Sequence, residues 1–158
     1  MPMIKFEDKN EIWFFGDEYC ENITEDERAC IRVLTEEYSA AMWRKYVSEQ
    51  HRHLMMVEND EWKLSNVRQL SYSWLSDWNN DIPDAFSKNI ANLLPWELND
   101  EVLFFWHRSF SVMTPWWLIC KFWICFLYED EMNVIVNPKS DMAVMIGVNG
   151  YIATANIA

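Results

Sequence analysis

The sequence predicts an α+β fold, with N-terminal helices packed on a C-terminal antiparallel sheet (a meander) and one buried Trp-rich helix. Three observations predict it. Apolar residues recur at helical spacing through the first two thirds of the chain. A dense aromatic run follows over residues 115–128. The chain then closes with three strand-like runs joined by turn signals. Helices first and strands later spell α+β rather than alternating βαβ units.

Taken in order, Glu11-Ile12-Trp13-Phe14-Phe15 reads as a short strand ended by Gly16. Thr24 and Glu27 have capping-box spacing, so a helix is expected from near Glu25 to Leu34. Thr35 caps a second helix, where Glu36 and Glu37 complement the positive helix end. Its apolar stripe is Tyr38, Met42 and Tyr46, widened by Ala41 and Trp43, through about Gln50. Residues 51–72 are ambiguous. Trp74 and Trp78 stand one helical turn apart. Asp81 and Pro83 open a further helix, with Phe86, Ile90, Leu93 and Leu94 as its stripe and Pro95 as its stop. Glu101–Arg108 is rich in strand formers. Thr114 and Pro115 are expected to start the buried helix through about Tyr128, although its apolar residues lie all round and periodicity alone does not exclude a strand. The runs MNVIVN, DMAVMIGV and YIATANI follow, the last two joined by Asn149-Gly150, a two-residue hairpin signal.

The 158 residues, 51% of them hydrophobic, suit a single domain spanning 1–158. Ten Trp argue against disorder. Residues 110–128, FSVMTPWWLICKFWICFLY, are interrupted by Pro115 and Lys121, so they read as a core helix rather than a membrane span. A net charge of −12 disfavours nucleic acid and anionic membrane, and favours a basic protein partner. The plainer alternative is that the acidity keeps a Trp-rich chain soluble. The opening MPMIKFEDKNE has no basic n-region or apolar h-region. A cytoplasmic location with free thiols at Cys20, Cys30, Cys120 and Cys125 is therefore expected.

Few residues spell chemistry. His51 and His53 with Glu58 and Asp60 have metal-binding side chains, but their spacing matches no established site. Cys120 and Cys125 with His107 suggest a nucleophile, yet an apolar setting makes thiols inert. No catalytic, metal or cofactor residue is assigned. The densest charge feature is Asp17, Glu18, Glu21, Glu25, Asp26 and Glu27, which reads either as a docking surface or as a solvated loop complementing a helix dipole. Trp62, Trp74 and Trp78 lie among polar residues and suit interface anchors, with core packing as the alternative. Glu58, Asp60 and Trp62 join the candidate partner-binding set.

Several separated pieces resemble one family. They are Trp13 and Phe15; Thr35-Glu36, Ser39, Trp43 and Val47-Ser48; Leu93-Leu94-Pro95-Trp96-Glu97 with Asn99 and Val102; and Trp116, Lys121, Trp123, Phe126-Leu127 and Asp130. Together they resemble the small gamma-proteobacterial proteins grouped as domain of unknown function 2947. The first 12 residues and the tail after Ser140 match only loosely. The resemblance implies a bacterial, intracellular, single-domain protein, and it carries over no activity and no catalytic residue.

The functional expectation is a non-catalytic binding protein, most concretely an immunity-type protein that occludes a basic toxin domain. The alternative is a small-ligand binder or minor enzyme with a pocket lined by Trp74 and Trp78.

Overall fold

A computed structural model describes residues 14–16, 18–49, 63–127, 132–147 and 150–157. Its centre is a seven-stranded sheet in the order β1-β4-β3-β5-β6-β7-β2, with every neighbouring pair antiparallel. The strands are β1 (Arg32–Val33), β2 (Leu64–Gln69), β3 (Glu101–His107), β4 (Phe110–Pro115), β5 (Asn133–Asn137), β6 (Met142–Ile146) and β7 (Ile152–Ile157). The helices are α1 (Glu25–Ala29), α2 (Glu36–Tyr46), α3 (Leu75–Asn79), α4 (Ala85–Asn89) and α5 (Trp116–Phe126). The α+β architecture and the C-terminal meander β5-β6-β7 are as the sequence predicts.

Both faces of the sheet are covered, and this follows from pleat alternation. In β3, Val102, Phe104 and Trp106 join the core that contains α5, while Leu103 and Phe105 join the core that contains Trp43 and Tyr46 of α2. β5 divides in the same way, with Ile135 on the α5 side and Val134 and Val136 on the other. Trp43 meets Phe105 edge-on, with ring centroids 5.4 Å apart. Ser39 Oγ, buried under the same helix, donates to the Arg108 carbonyl at 2.7 Å and lies 2.6 Å from Ser111 Oγ. Together these contacts fix α2 against the β3-β4 hairpin.

Several boundaries differ from expectation. Phe14 and Phe15 form a buried 3-10 turn, not a strand, and Glu11–Trp13 lie outside the described residues. α1 has its capping box but ends at Ala29. Cys30 N–H turns back to the Glu27 carbonyl, freeing Arg32 and Val33 to pair with β4. α2 stops at Tyr46 rather than near Gln50. The helix expected from Asp81 is shorter, running from Ala85 to Asn89 with a 3-10 turn over Ala91–Leu93, and Leu93 is exposed rather than part of its stripe. The described part of the ambiguous 51–72 stretch contains edge strand β2, kinked between Ser65 and Arg68, where Asn66 has φ +51°. At the final hairpin, Gly150 has φ +82°, and a Cβ there would sit 2.0 Å from Ser73 Oγ, so only glycine fits.

The largest correction is at residues 110–115. The apolar run splits at Pro115 into strand β4 and helix α5, and Thr114 is a buried strand residue rather than a cap. The N-terminal end of α5 is satisfied from elsewhere. Trp116 N–H donates to the Asp100 carbonyl at 2.8 Å, and Trp117 N–H donates to the Leu98 carbonyl at 2.9 Å.

The Asp100 side chain completes this junction. It accepts from Glu97 N–H at 3.0 Å, Asn137 Nδ2 at 2.9 Å and Lys139 Nζ at 3.1 Å. Burial pushes its pKa up, but these three donors outweigh burial and leave it below the usual carboxylate value. A depressed folded-state pKa contributes stability above the unfolded carboxylate pKa, and that stability is lost as pH falls through the folded value. Asp100→Asn should therefore cost about 1–3 kcal/mol at neutral pH by urea denaturation. The gap to the native chain should close in acid. A cost independent of pH would show that the carboxylate charge is not what holds the junction.

Candidate functional site

α5 is the floor on which the site is built. Eight of its 11 residues are buried, so its end groups must find partners inside the protein. At the C-terminal end those partners are indoles. Trp78 Nε1 donates to the Ile124 carbonyl at 2.9 Å, and Trp106 Nε1 donates to the Phe126 carbonyl at 2.8 Å. In the reverse direction Trp123 Nε1 donates to the Ile82 carbonyl at 3.2 Å, and its ring stacks on Phe86 with centroids 4.8 Å apart. α3 and the loop after it are thereby each tied to α5.

A second segment is tied to α5 from the other side. Cys20 and Cys125 form a disulfide, with Cα atoms 5.7 Å apart and a sequence separation of 105. The expectation of four free thiols is corrected. Tertiary proximity decided the pairing, and no local Cys spacing announced it. Lys121 Nζ reinforces the attachment by an ion pair to Glu27 at 2.6 Å. The Lys121 hydrogen bond holds Glu27 below the ordinary carboxylate value; burial opposes it, and the hydrogen bonds from Thr24 help. Arg28 Nε donates to the Phe15 carbonyl at 3.0 Å, fixing α1 to the buried 3-10 turn.

Between these attachments lies a cleft of about 420 Å³. One wall is Glu18, Tyr19, Glu21 and Asn22, the other is Asp81 and Pro83, and the floor is Lys121, Phe122, Ile124 and Cys125. Asn22 and Asp81 both have left-handed backbones, with φ +67° and +53°, which Asn and Asp tolerate better than most residues. Among the described residues, Glu18, Glu21 and Asp81 form no ion pair, whereas Lys121 already faces Glu27.

The predicted site residues separate accordingly. Glu18 and Glu21 line the cleft. Glu25 and Asp26 are exposed on α1, and Glu27 is half-buried against Lys121. Asp17, Glu58, Asp60 and Trp62 lie outside the described residues, as do Glu61, His51 and His53. Trp74 is only 2% exposed and donates to the Gly147 carbonyl at 3.2 Å, so it presents no docking surface. Trp78 is half-buried and engaged with Ile124, and it meets Trp74 edge-on; neither lines the cleft. Burial pushes the Cys120 thiol up to about 12, which makes it a poor nucleophile. His107 is exposed, and its Nδ1 accepts from Ser109 N–H. Among the described residues no group of His, Cys, Asp and Glu is placed to hold a metal, and no helix is long and apolar enough to cross a membrane.

Sequence reasoning missed Tyr19, Asn22 and Phe122 as site residues, and it gave Asp81 and Pro83 a helix-opening role. These residues come from three distant segments, and no spacing links them. The aromatic pieces of the family resemblance do meet in space. Trp96 of the LLPWE block packs edge-on against Trp116, with ring centroids 4.9 Å apart.

Fold and site define a small α+β protein whose sheet is layered between helices, with an acidic cleft over its most buried helix. The chain belongs to the family described as protein of unknown function (DUF2947), whose model matches residues 3–155. No curated protein and no solved structure matches it.

The cysteine pattern is directly measurable. Iodoacetamide should label half-buried Cys30 alone in the native protein. Cys30 and Cys120 should react after unfolding without reductant, and all four after unfolding with reductant. Reduction of the native protein should cost about 2–4 kcal/mol of stability, since the bond closes a long loop. Four labels without reductant would rule the disulfide out.

Proposed function

We propose that this is a non-catalytic binding protein of the immunity type, in which an acidic surface occludes the cleft of a basic toxin domain. The observation that carries this reading is the fixed placement of the acidic stretch. Glu18, Glu21, Glu25 and Asp26 are all exposed. The backbone that bears them is held by the Cys20–Cys125 bond, the Thr24–Glu27 capping box and the Arg28–Phe15 hydrogen bond. Charge on a preordered segment loses little conformational entropy on docking. The chain's net charge of −12 would speed encounter with a basic surface. The disulfide favours an oxidising compartment over the cytoplasm expected from sequence.

A small-ligand reading is favoured by one specific observation, the 420 Å³ cleft, which falls within the usual size range for ligand sites. Tyr19 and Phe122 would line that site in place of Trp74 and Trp78.

The test is a salt-dependent pull-down followed by a toxicity assay. The expected result is a basic protein that is toxic alone and is neutralised by co-expression of this chain. Glu25→Lys with Asp26→Lys should slow its association about tenfold or more at low salt, with the gap narrowing at high salt. An unchanged on-rate would remove the acidic stretch from the interface.

A further inference from the structure

We propose that the cleft over α5 is a receptor for a single organic cation on an apolar stem, an alkylguanidinium or alkylammonium group. The inference rests on the cavity itself and does not depend on the immunity reading. Its floor and one wall offer Phe122, Ile124 and Pro83 to a hydrocarbon stem. Its rim carries Glu18, Glu21 and Asp81, and among the described residues the one cationic side chain that lines it, Lys121, is already paired with Glu27. A cation therefore meets attractive charge from the carboxylates of both walls, whereas an anion meets repulsion there.

The cleft is also built to persist when empty. The Cys20–Cys125 bond fixes the 18–22 wall to α5, and the Trp78–Ile124 and Trp123–Ile82 hydrogen bonds fix the 81–83 wall to the same helix. A pocket with both walls anchored to the same buried helix, which kinks at Phe122, needs little reorganisation to bind. None of the Glu18, Glu21 and Asp81 side chains takes part in these attachments, so their carboxylates are not used up in holding the cleft together.

The cation can come from two sources, a free small molecule or the side chain of Arg or Lys on a protein. The experiment is an NMR titration of the full-length oxidised protein, following Ile124 and Phe122 signals. Three probes are compared: n-butylguanidinium, its neutral isostere n-butylurea, and acetyl-arginine amide. The expected result is saturable shifts with butylguanidinium, at least about tenfold weaker with butylurea, because butylurea carries no charge for the three rim carboxylates to attract. Binding of acetyl-arginine amide as tight as that of butylguanidinium assigns the cleft to a protein side chain; exclusion of the amide assigns it to a free ligand. Glu21→Gln with Asp81→Asn should weaken butylguanidinium about tenfold, and Asn is tolerated at φ +53°. Should that variant fail to fold, the comparison of charged and neutral probes on the native chain still decides. Equal binding of butylguanidinium and butylurea, or no shift with either, overturns the proposal. Glu25→Lys with Asp26→Lys lies outside the cleft lining and should leave butylguanidinium binding unchanged, which separates this site from the acidic docking surface.

Discussion

A helix buried along most of its length must satisfy its terminal backbone groups without water, and much of this molecule is arranged around that requirement for α5. Its first N–H groups are taken by the Leu98 and Asp100 carbonyls, so the turn before β3 has to lie where it does. Its last carbonyls are taken by the Trp78 and Trp106 indoles, which fixes α3 and the end of β3. Trp is well suited to this role. Its ring fills core volume while its single N–H reaches a carbonyl at the helix end. Trp78 and Trp106 thus have a structural role, whereas Trp96 and Trp116 are buried by packing alone, with no hydrogen-bond partner for Nε1.

The same helix turns stability into a site. Its C-terminal half contributes Trp123 and Phe126 to the core and lines the cleft with Phe122, Ile124 and Cys125. The attachments on the two sides differ in kind. The 81–83 side is held by hydrogen bonds, each contributing about 0.5–1.5 kcal/mol net. The 18–22 side is held by a disulfide that closes a long loop and stabilises by about 2–4 kcal/mol, more than any one of those hydrogen bonds. The rim ion pair from Lys121 adds at most about 1 kcal/mol to that side. Redox state is therefore the condition to which the 18–22 wall is most sensitive.

What the sequence revealed depended on how local the signal was. The Thr24–Glu27 capping box, the Thr35 cap and the terminal hairpin glycine are short-range devices, and all three are present in the structure. β3 was legible because Val102–Trp106 is rich in strand formers, but its two-sided burial hid the alternation that would have told which residue faces which layer. β4 was lost inside a longer apolar run because the residues on both sides of Pro115 are buried for different reasons, one set in the sheet and one in the helix. β1 is two residues long and exists only because β4 offers it an edge. The acidic half of the cleft was visible as a charge run. Its other wall and floor were not, since Asp81 and Phe122 join Glu21 around the cleft only through tertiary packing, and the Cys20–Cys125 pairing has no local signature.

Amide hydrogen exchange on the oxidised protein, repeated after reduction, tests most directly whether α5 and its two attachments hold the cleft. Amides within α5 should exchange only through global unfolding in both states. Those of Tyr19 and Cys20, bonded to the Gly16 carbonyl, should be protected when oxidised and lose much of that protection on reduction, while the backbone around Trp78 stays protected. Tyr19 and Cys20 amides that exchange at the same rate in both states would contradict a disulfide-held wall, and early exchange in α5 would contradict its place as the fixed floor.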